Sequence, residues 1–355
     1  MHITVFKERH PFEQRVAATP DTVRAMKAMG ADVSVEKDAG LAAGFTNEAF
    51  EKAGASISAG ADLAALADIV LNVQRPQDDE LSALKPGAKL IGMLSPYAAH
   101  GALKLLAEKR VDAFSLELMP RITRAQGMDV LSSQANLAGY RAVIEATAQF
   151  HRAFPMMMTA AGTIAPARVL VMGAGVAGLQ AIATAKRLGA IVSANDVRLA
   201  AKEQVESLGA TFLMVQDEES KQAETAGGYA KEMSESYKAK QAALVAETIK
   251  KQDVVICTAL IPGKPAPRLI TTAMLQTMRP GSVIIDMAAE QGGNCEGSKA
   301  GETVERFGIK IVGVANLSSC VASDASMLYA KNVLNFLGLV LDKSANLCID
   351  WNDEI

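Results

Sequence analysis

"RVLVMGAGVAGLQAIATAKRLGAIVSANDVR", residues 168–198, decides how this chain folds. A β-branched run ends at Gly173, a helical apolar pattern follows, and a second short apolar run closes on Asp196. Strand, turn, helix, strand is the context in which GxGxxG carries a mechanism. Gly173 permits the tight turn, Gly175 lets main chain approach a pyrophosphate, and Gly178 lets the helix pack on the strand. Val176 and Ala177 then open the helix, where N–H groups and the positive dipole end suit phosphate oxygens. Asp196 stands where a carboxylate accepts from both hydroxyls of a ribose, and it repels a 2′-phosphate. The expected ligand is therefore NAD(H). Val197 and Arg198 follow at the same strand end, and Arg198 reads as a surface residue.

Working outward, short β-branched runs alternate with helical patterns along the whole chain, which makes it α/β. Strands are expected at 3–6, 32–36, 68–74, 90–94 and 112–118, with helices over 19–29, 47–53 and 97–109 between them. A second series is expected at 168–173, 190–196, 211–216, 253–260, 282–288 and 310–316, spaced by helices as parallel βαβ units require. Long helices over 130–154 and 325–341 join the two series. Since 355 residues exceed one ordinary core, the expectation is two Rossmann-like domains with parallel sheets, joined by long helices. Residues 1–130, completed by 325–355, form the first. Residues 131–324 form the dinucleotide-binding second, including a long polar loop at 217–241 with the pair Gly227-Gly228. "TALIPGKPAP" (258–267) closes the fourth strand of that series at its carboxyl end, which places the main chain of Ala259 and Leu260 beside the nicotinamide ribose.

A formal net charge of -3 with dispersed Lys and Arg points away from nucleic acid and anionic membranes. Four cysteines without a CxxC pair point away from zinc and from a disulfide framework, and fit a reducing cytoplasm. The N-terminus has no apolar signal region, and no apolar run approaches the roughly 20 residues a bilayer span needs.

Oxidising an alcohol or amine calls for a titrating acid/base as well as a hydride acceptor. The four histidines, His2, His10, His100 and His151, all lie away from the carboxyl ends of expected strands. Instead, "RITRAQGMDVLSSQANLAGY" (121–140) sets out Arg121, Gln126, Asp129 and Ser132 within a dozen residues. These are donors and acceptors for an amide or a ribose, with no His, Cys or Lys among them. Hydride transfer between two nicotinamide rings needs just that, because it moves no net proton at the carbons concerned. Asp129 and Ser132 also suit a helix cap.

Seven stretches together resemble one family: "KERHPFEQRVAATP", "PRITRAQGMDVLSSQANLAGYRA", "GAGVAGLQAIATAKRLGA", "KEQVESLGA", "AETAGGYAKEM", "TALIPGKPAP" and "GSVIIDMAAEQGGNCE". The chain resembles the NAD(H)-binding domain of proton-translocating nicotinamide nucleotide transhydrogenase over nearly its whole length. The resemblance implies that NADH held here passes hydride to NADP+ on a separate NADP(H)-binding domain, coupled to protons by a membrane-spanning domain. It implies a homodimer without membrane insertion of its own, peripheral on the cytoplasmic face of the bacterial inner membrane. Arg121, Gln126, Asp129 and Ser132 match the loop at the nicotinamide, with Gln126 toward the second nucleotide. Tyr229 matches the tyrosine of a mobile loop that closes over the cofactor. Gly127 stands where that family tends to have Ser, which is expected to loosen the loop. The chain stops at Ile355, whereas members of that family usually continue for a further segment. Alanine dehydrogenase is also similar, and Arg15 matches its substrate-carboxylate arginine. Its catalytic lysine falls at Gln74, however, and its histidine near Leu94-Ser95. A non-catalytic NAD(H)-binding module is the remaining alternative.

Overall fold

Parallel strands covered on both faces must be apolar at nearly every position, and the central strands here are. The computed structural model describes residues 1–215, 233–261 and 263–355, without the side chains of 61 and 62. It divides into two units, Met1–Gln134 with Ser318–Ile355, and Ala135–Leu317. The divisions fall inside the helix Val130–Gln149 and just before the helix Ala322–Val340.

The first unit carries β1 (His2–Val5), β2 (Asp32–Glu36), β3 (Ser56–Ser58), β4 (Ile69–Gln74), β5 (Lys89–Met93) and β6 (Asp112–Ser115). Their order is β3-β2-β1-β4-β5-β6. All are parallel. This is the doubly wound order with its switch point between β1 and β4. Helix Pro20–Ala28 begins as its sequence dictates, with Pro20 at the first position and the Thr19 hydroxyl accepting from Thr22 N. Tyr329, Val333, Phe336 and Leu337 of helix Ala322–Val340 join Ile3, Val5, Leu71 and Ile91 in one core. The Tyr329 hydroxyl donates to the carbonyl of Asn72 at 2.7 Å. Strand β3 and the helices Gly60–Leu66 and Asp78–Ser82 were absent from the sequence expectations. All are too short to show a period.

The second unit opens with an antiparallel ribbon, β7 (Met157–Thr159) and β8 (Gly162–Ile164). Its sheet contains β9 (Arg168–Met172), β10 (Ile191–Asn195), β11 (Thr211–Leu213), β12 (Val254–Cys257), β13 (Val283–Asp286), β14 (Thr303–Arg306) and β15 (Ile309–Val312). The order is β11-β10-β9-β12-β13-β15-β14, parallel except at β14. Phe307 and Gly308, at φ 56° and 73°, join β14 to β15 in a two-residue turn with both φ positive. That hairpin edge was not expected, because Phe-Gly is not a usual signal for such a turn. The helix expected over 130–154 ends at Gln149. Phe150 and Phe154 are buried and meet edge-on, so they mimic helical spacing beyond the last turn. Pro155 disfavours a helical Phe154. Of the expected loop at 217–241, residues from Glu235 belong to the helix Glu235–Ile249, capped by Ser234.

Candidate nucleotide site

The turn after β9 is shaped by what its glycines lack. Gly173 has φ 103°. A Cβ on Gly178 would lie 1.9 Å from the Gly173 carbonyl oxygen, so any side chain there would push the helix off the strand. A Cβ on Gly175 would meet nothing within 4 Å, which leaves open space beside the main chain of the turn. Gly175 is the N-cap of helix Val176–Arg187 and supplies no side-chain acceptor. The first-turn N–H groups at Val176, Ala177 and Gly178 are thus not capped from Gly175, as an anion site requires. One support was missed in the sequence. A Cβ on Gly139 would lie 2.1 Å from the Ala177 carbonyl oxygen, so only glycine lets helix Val130–Gln149 pass this close to the turn.

Asp196 follows β10 and is 7% exposed. Its carboxylate accepts from Ala174 N at 2.7 Å, tying the strand end to the glycine turn. It also accepts from Arg198 N at 2.9 Å and from the guanidinium at 2.9 and 2.7 Å. Arg198 is therefore not the surface residue the sequence suggested; its side chain is 17% exposed and locked onto Asp196. Four acceptor directions are about all a carboxylate has. Any further donor would have to displace the guanidinium, while the two main-chain donors keep Asp196 in place. Val197 packs with Met233 and Tyr237.

Thr258, directly after β12, donates its hydroxyl to the Gly173 carbonyl at 3.0 Å, so this loop adjoins the glycine turn. Ala259 does not offer its main chain to a ligand as expected. Its N–H donates to Asn294 Oδ1 at 3.1 Å and its carbonyl accepts from Asn294 Nδ2 at 2.9 Å. Leu260 is 42% exposed. Below the loop, Cys257 and Cys295 are buried. Burial, with Asp286 alongside, raises both thiols, Cys295 up to about 12. They are packing residues, not nucleophiles.

In the first unit, Arg121 and Gln126 are exposed, Gln126 within the 3-10 turn Thr123–Met128. Asp129 accepts from Ser132 N at 2.9 Å and from the Ser132 hydroxyl at 2.5 Å. The pair caps helix Val130–Gln149, the structural role the sequence also allowed. Gly127 does not loosen this stretch. Its carbonyl accepts from Asn332 Nδ2 at 2.8 Å and Asn335 Nδ2 at 2.7 Å. Arg124 pairs with Asp353. Tyr229 lies outside the described residues.

Arg15 is buried, and its guanidinium is already matched. Nε and Nη2 donate to Glu13 at 2.7 and 2.6 Å, and Nη1 donates to Gln134 at 2.8 Å. Gln74 Nε2 donates to the same Glu13 carboxylate at 3.2 Å. Nearby, Glu8 accepts from Val73 N, Gln74 N and Asn72 Nδ2, stitching its loop to the end of β4. Burial, reinforced by Glu13, pushes the Glu8 carboxyl up to about 8 against those donors.

Residues 4–138 match the family model "Alanine dehydrogenase/PNT, N-terminal domain", and residues 142–355 match its "C-terminal domain" counterpart. The chain belongs to the alanine dehydrogenase/PNT family. It is 55% identical to a Rhodospirillum rubrum protein named as the first portion of NAD(P) transhydrogenase subunit alpha, covering 100% of this chain and 94% of that protein. To "NAD(P) transhydrogenase subunit alpha" of Haemophilus influenzae it is 45% identical, covering 100% of this chain and 69% of the other. Alanine dehydrogenase of Halomonas elongata is more distant, 32% identical over 97% of this chain and 88% of its own length. A crystal structure of transhydrogenase from Sinorhizobium meliloti superposes with a TM-score of 0.91 at 51% identity, covering 100% of this chain and 96% of the other.

Proposed function

We propose that this chain is the NAD(H)-binding component of a proton-translocating transhydrogenase, passing hydride from NADH to NADP+ held on a partner domain. The observation that carries this over amino-acid oxidation is Arg15. Glu13 grips its guanidinium through two parallel hydrogen bonds, the geometry an external carboxylate would use. Gln74, where an amino-acid dehydrogenase places its lysine, cannot titrate. The substrate clamp is closed from within, and the lysine and histidine of amino-acid oxidation are replaced by Gln74 and by Leu94-Ser95.

When bound, the nicotinamide supplies the hydride chemistry. Gly173, Gly175, Val176, Ala177 and Gly178 hold the pyrophosphate, while Asp196, Val197 and Arg198 receive the adenine-side ribose. Arg121, Asp129 and Ser132 orient the nicotinamide, Gln126 helps align the two rings, and Tyr229 seals the site. None of these groups is asked to exchange a proton. Their contribution is alignment and exclusion of water.

The relatives named as subunit alpha support association with other transhydrogenase subunits, an NADP(H)-binding domain and a membrane-spanning domain. Among the described residues no helix is long and apolar enough to cross a membrane, and the proposal gives the proton step to the membrane-spanning partner. The chain would then lie peripherally on the cytoplasmic face of the inner membrane. The reading includes a homodimer, and the exposed apolar side chains of the β7–β8 ribbon, Met157 at 43%, Met158 at 78% and Ile164 at 41%, support it. The test is to mix the chain with an NADP(H)-binding domain and follow hydride passage from NADH to an NADP+ analogue. Turnover is expected there, and none with pyruvate and ammonia. The reverse pattern would make the chain an amino-acid dehydrogenase, and NADH binding without turnover in a competent mixture would make it a binding module.

A further inference from the structure

Asn294 is fully buried, on the segment that follows β13, and its side chain spends every hydrogen bond on another loop. Oδ1 accepts from Ala259 N at 3.1 Å, and Nδ2 donates to the carbonyls of Ala259 at 2.9 Å and Pro267 at 2.8 Å. Its own carbonyl accepts from Leu269 N and Ile270 N, and the carbonyl of Gln291 accepts from Ala266 N. Both feet of the loop 258–267 are therefore fastened to residues 291–294. That segment is rigid in its turn. Gly292 and Gly293 take φ 96° and 80°, and the buried Asp286 accepts from Cys295 N at 2.9 Å and Ala288 N at 3.0 Å.

In an open parallel sheet a ligand lies over the carboxyl ends of the strands at the switch point, here between β9 and β12. The adenine half rests over β9 to β11, and the other half extends over β12. The first residues after β12 thus meet the nicotinamide half, and Thr258 fixes their distance from the glycine turn through the Gly173 carbonyl. With both main-chain groups of Ala259 held by one amide, the peptide that follows can face in one direction only. Resting on the NAD(H) reading above, we infer that Asn294 is a positioning residue for the nicotinamide half of the nucleotide, acting through Ala259 and Leu260.

Calorimetric titration of the full chain with NADH and, separately, with ADP tests this, because ADP carries the adenine half and no nicotinamide ribose. In Asn294→Ser, NADH affinity is expected to fall about tenfold while ADP affinity stays within about twofold. Thr258→Val, which keeps the shape and removes the hydroxyl, is expected to lower the NADH-to-ADP affinity ratio in the same sense by a few-fold, and it serves where Asn294→Ser does not fold. An equal loss for both nucleotides, or an unchanged ratio, reduces Asn294 to a structural residue and overturns the proposal. Wild-type protein that binds ADP but not NADH, or neither, overturns the NAD(H) reading and this inference with it.

Discussion

The turn Gly173–Gly178 is shaped by missing Cβ atoms, whereas the stretch Arg121–Ser132 is held by side chains from distant parts of the chain. In the turn, the absence of Cβ atoms sets the geometry, and each glycine acts on atoms within a few residues or on the adjoining strand end. In the stretch, the carbonyl of Gly127 is pinned by Asn332 and Asn335, which lie 205 and 208 residues away along the chain. Asp353, farther still, holds Arg124. A device set by missing Cβ atoms therefore survives most neighbouring substitutions, while one held by several side chains weakens as members of its set are lost. The first suits an invariant phosphate group. The second suits a ring that must be aimed.

That contrast can be broken at three depths. The largest effect is expected from Gln126→Asn, which shortens one side chain on the aimed stretch. Hydride transfer to a partner-held NADP+ analogue should slow about 100-fold, the scale of a misplacement near 1 Å, with NADH affinity within about twofold. Stopped-flow transfer rates beside a binding titration check this; a loss of affinity at normal rate would move Gln126 from aiming to holding.

Next comes Asp196→Ala. Hydrogen bonds to a charged group are worth about 1.5–3 kcal/mol, but displacement of Arg198 offsets part of that. NADH affinity should then weaken about tenfold, with relaxed discrimination against NADPH. Unchanged NADH affinity by titration would remove Asp196 from the site.

The smallest effect belongs to Asn335→Ala. One of two amides on the Gly127 carbonyl is lost, and Asn332 retains the other. Hydride transfer should fall about threefold without change in NADH affinity, a shift on the order of half a kcal/mol. A drop as large as that of Gln126→Asn would show that the two asparagines act as one unit.

Much of the first device could be read directly. Glycine spacing after a β-branched run implies a tight turn at a helix start, which the structure has. Thr19-Pro20 likewise announced a helix start that the structure has. What could not be read is which polar groups meet. Arg198 looked like a surface residue because nothing in "NDVR" says its side chain folds back onto Asp196. Ala259 looked available because its partner, Asn294, lies 35 residues on, after the neighbouring strand β13. Gly127 looked loosening for the same reason. Phe150 and Phe154 prolonged a helical period past the last hydrogen-bonded turn, since burial and helicity leave the same mark on spacing.

Residue pattern alone was enough for the type of the longer elements, their alternation and the glycine turn, because each depends on contacts within one or two elements. Only the folded chain could close Glu13 on Arg15, seat Asn294 against Ala259 and clamp Gly127 from the C-terminal helix. Those pairings turn on angstrom-scale distances between side chains far apart in sequence, and a period of 2 or 3.6 residues carries no information about them.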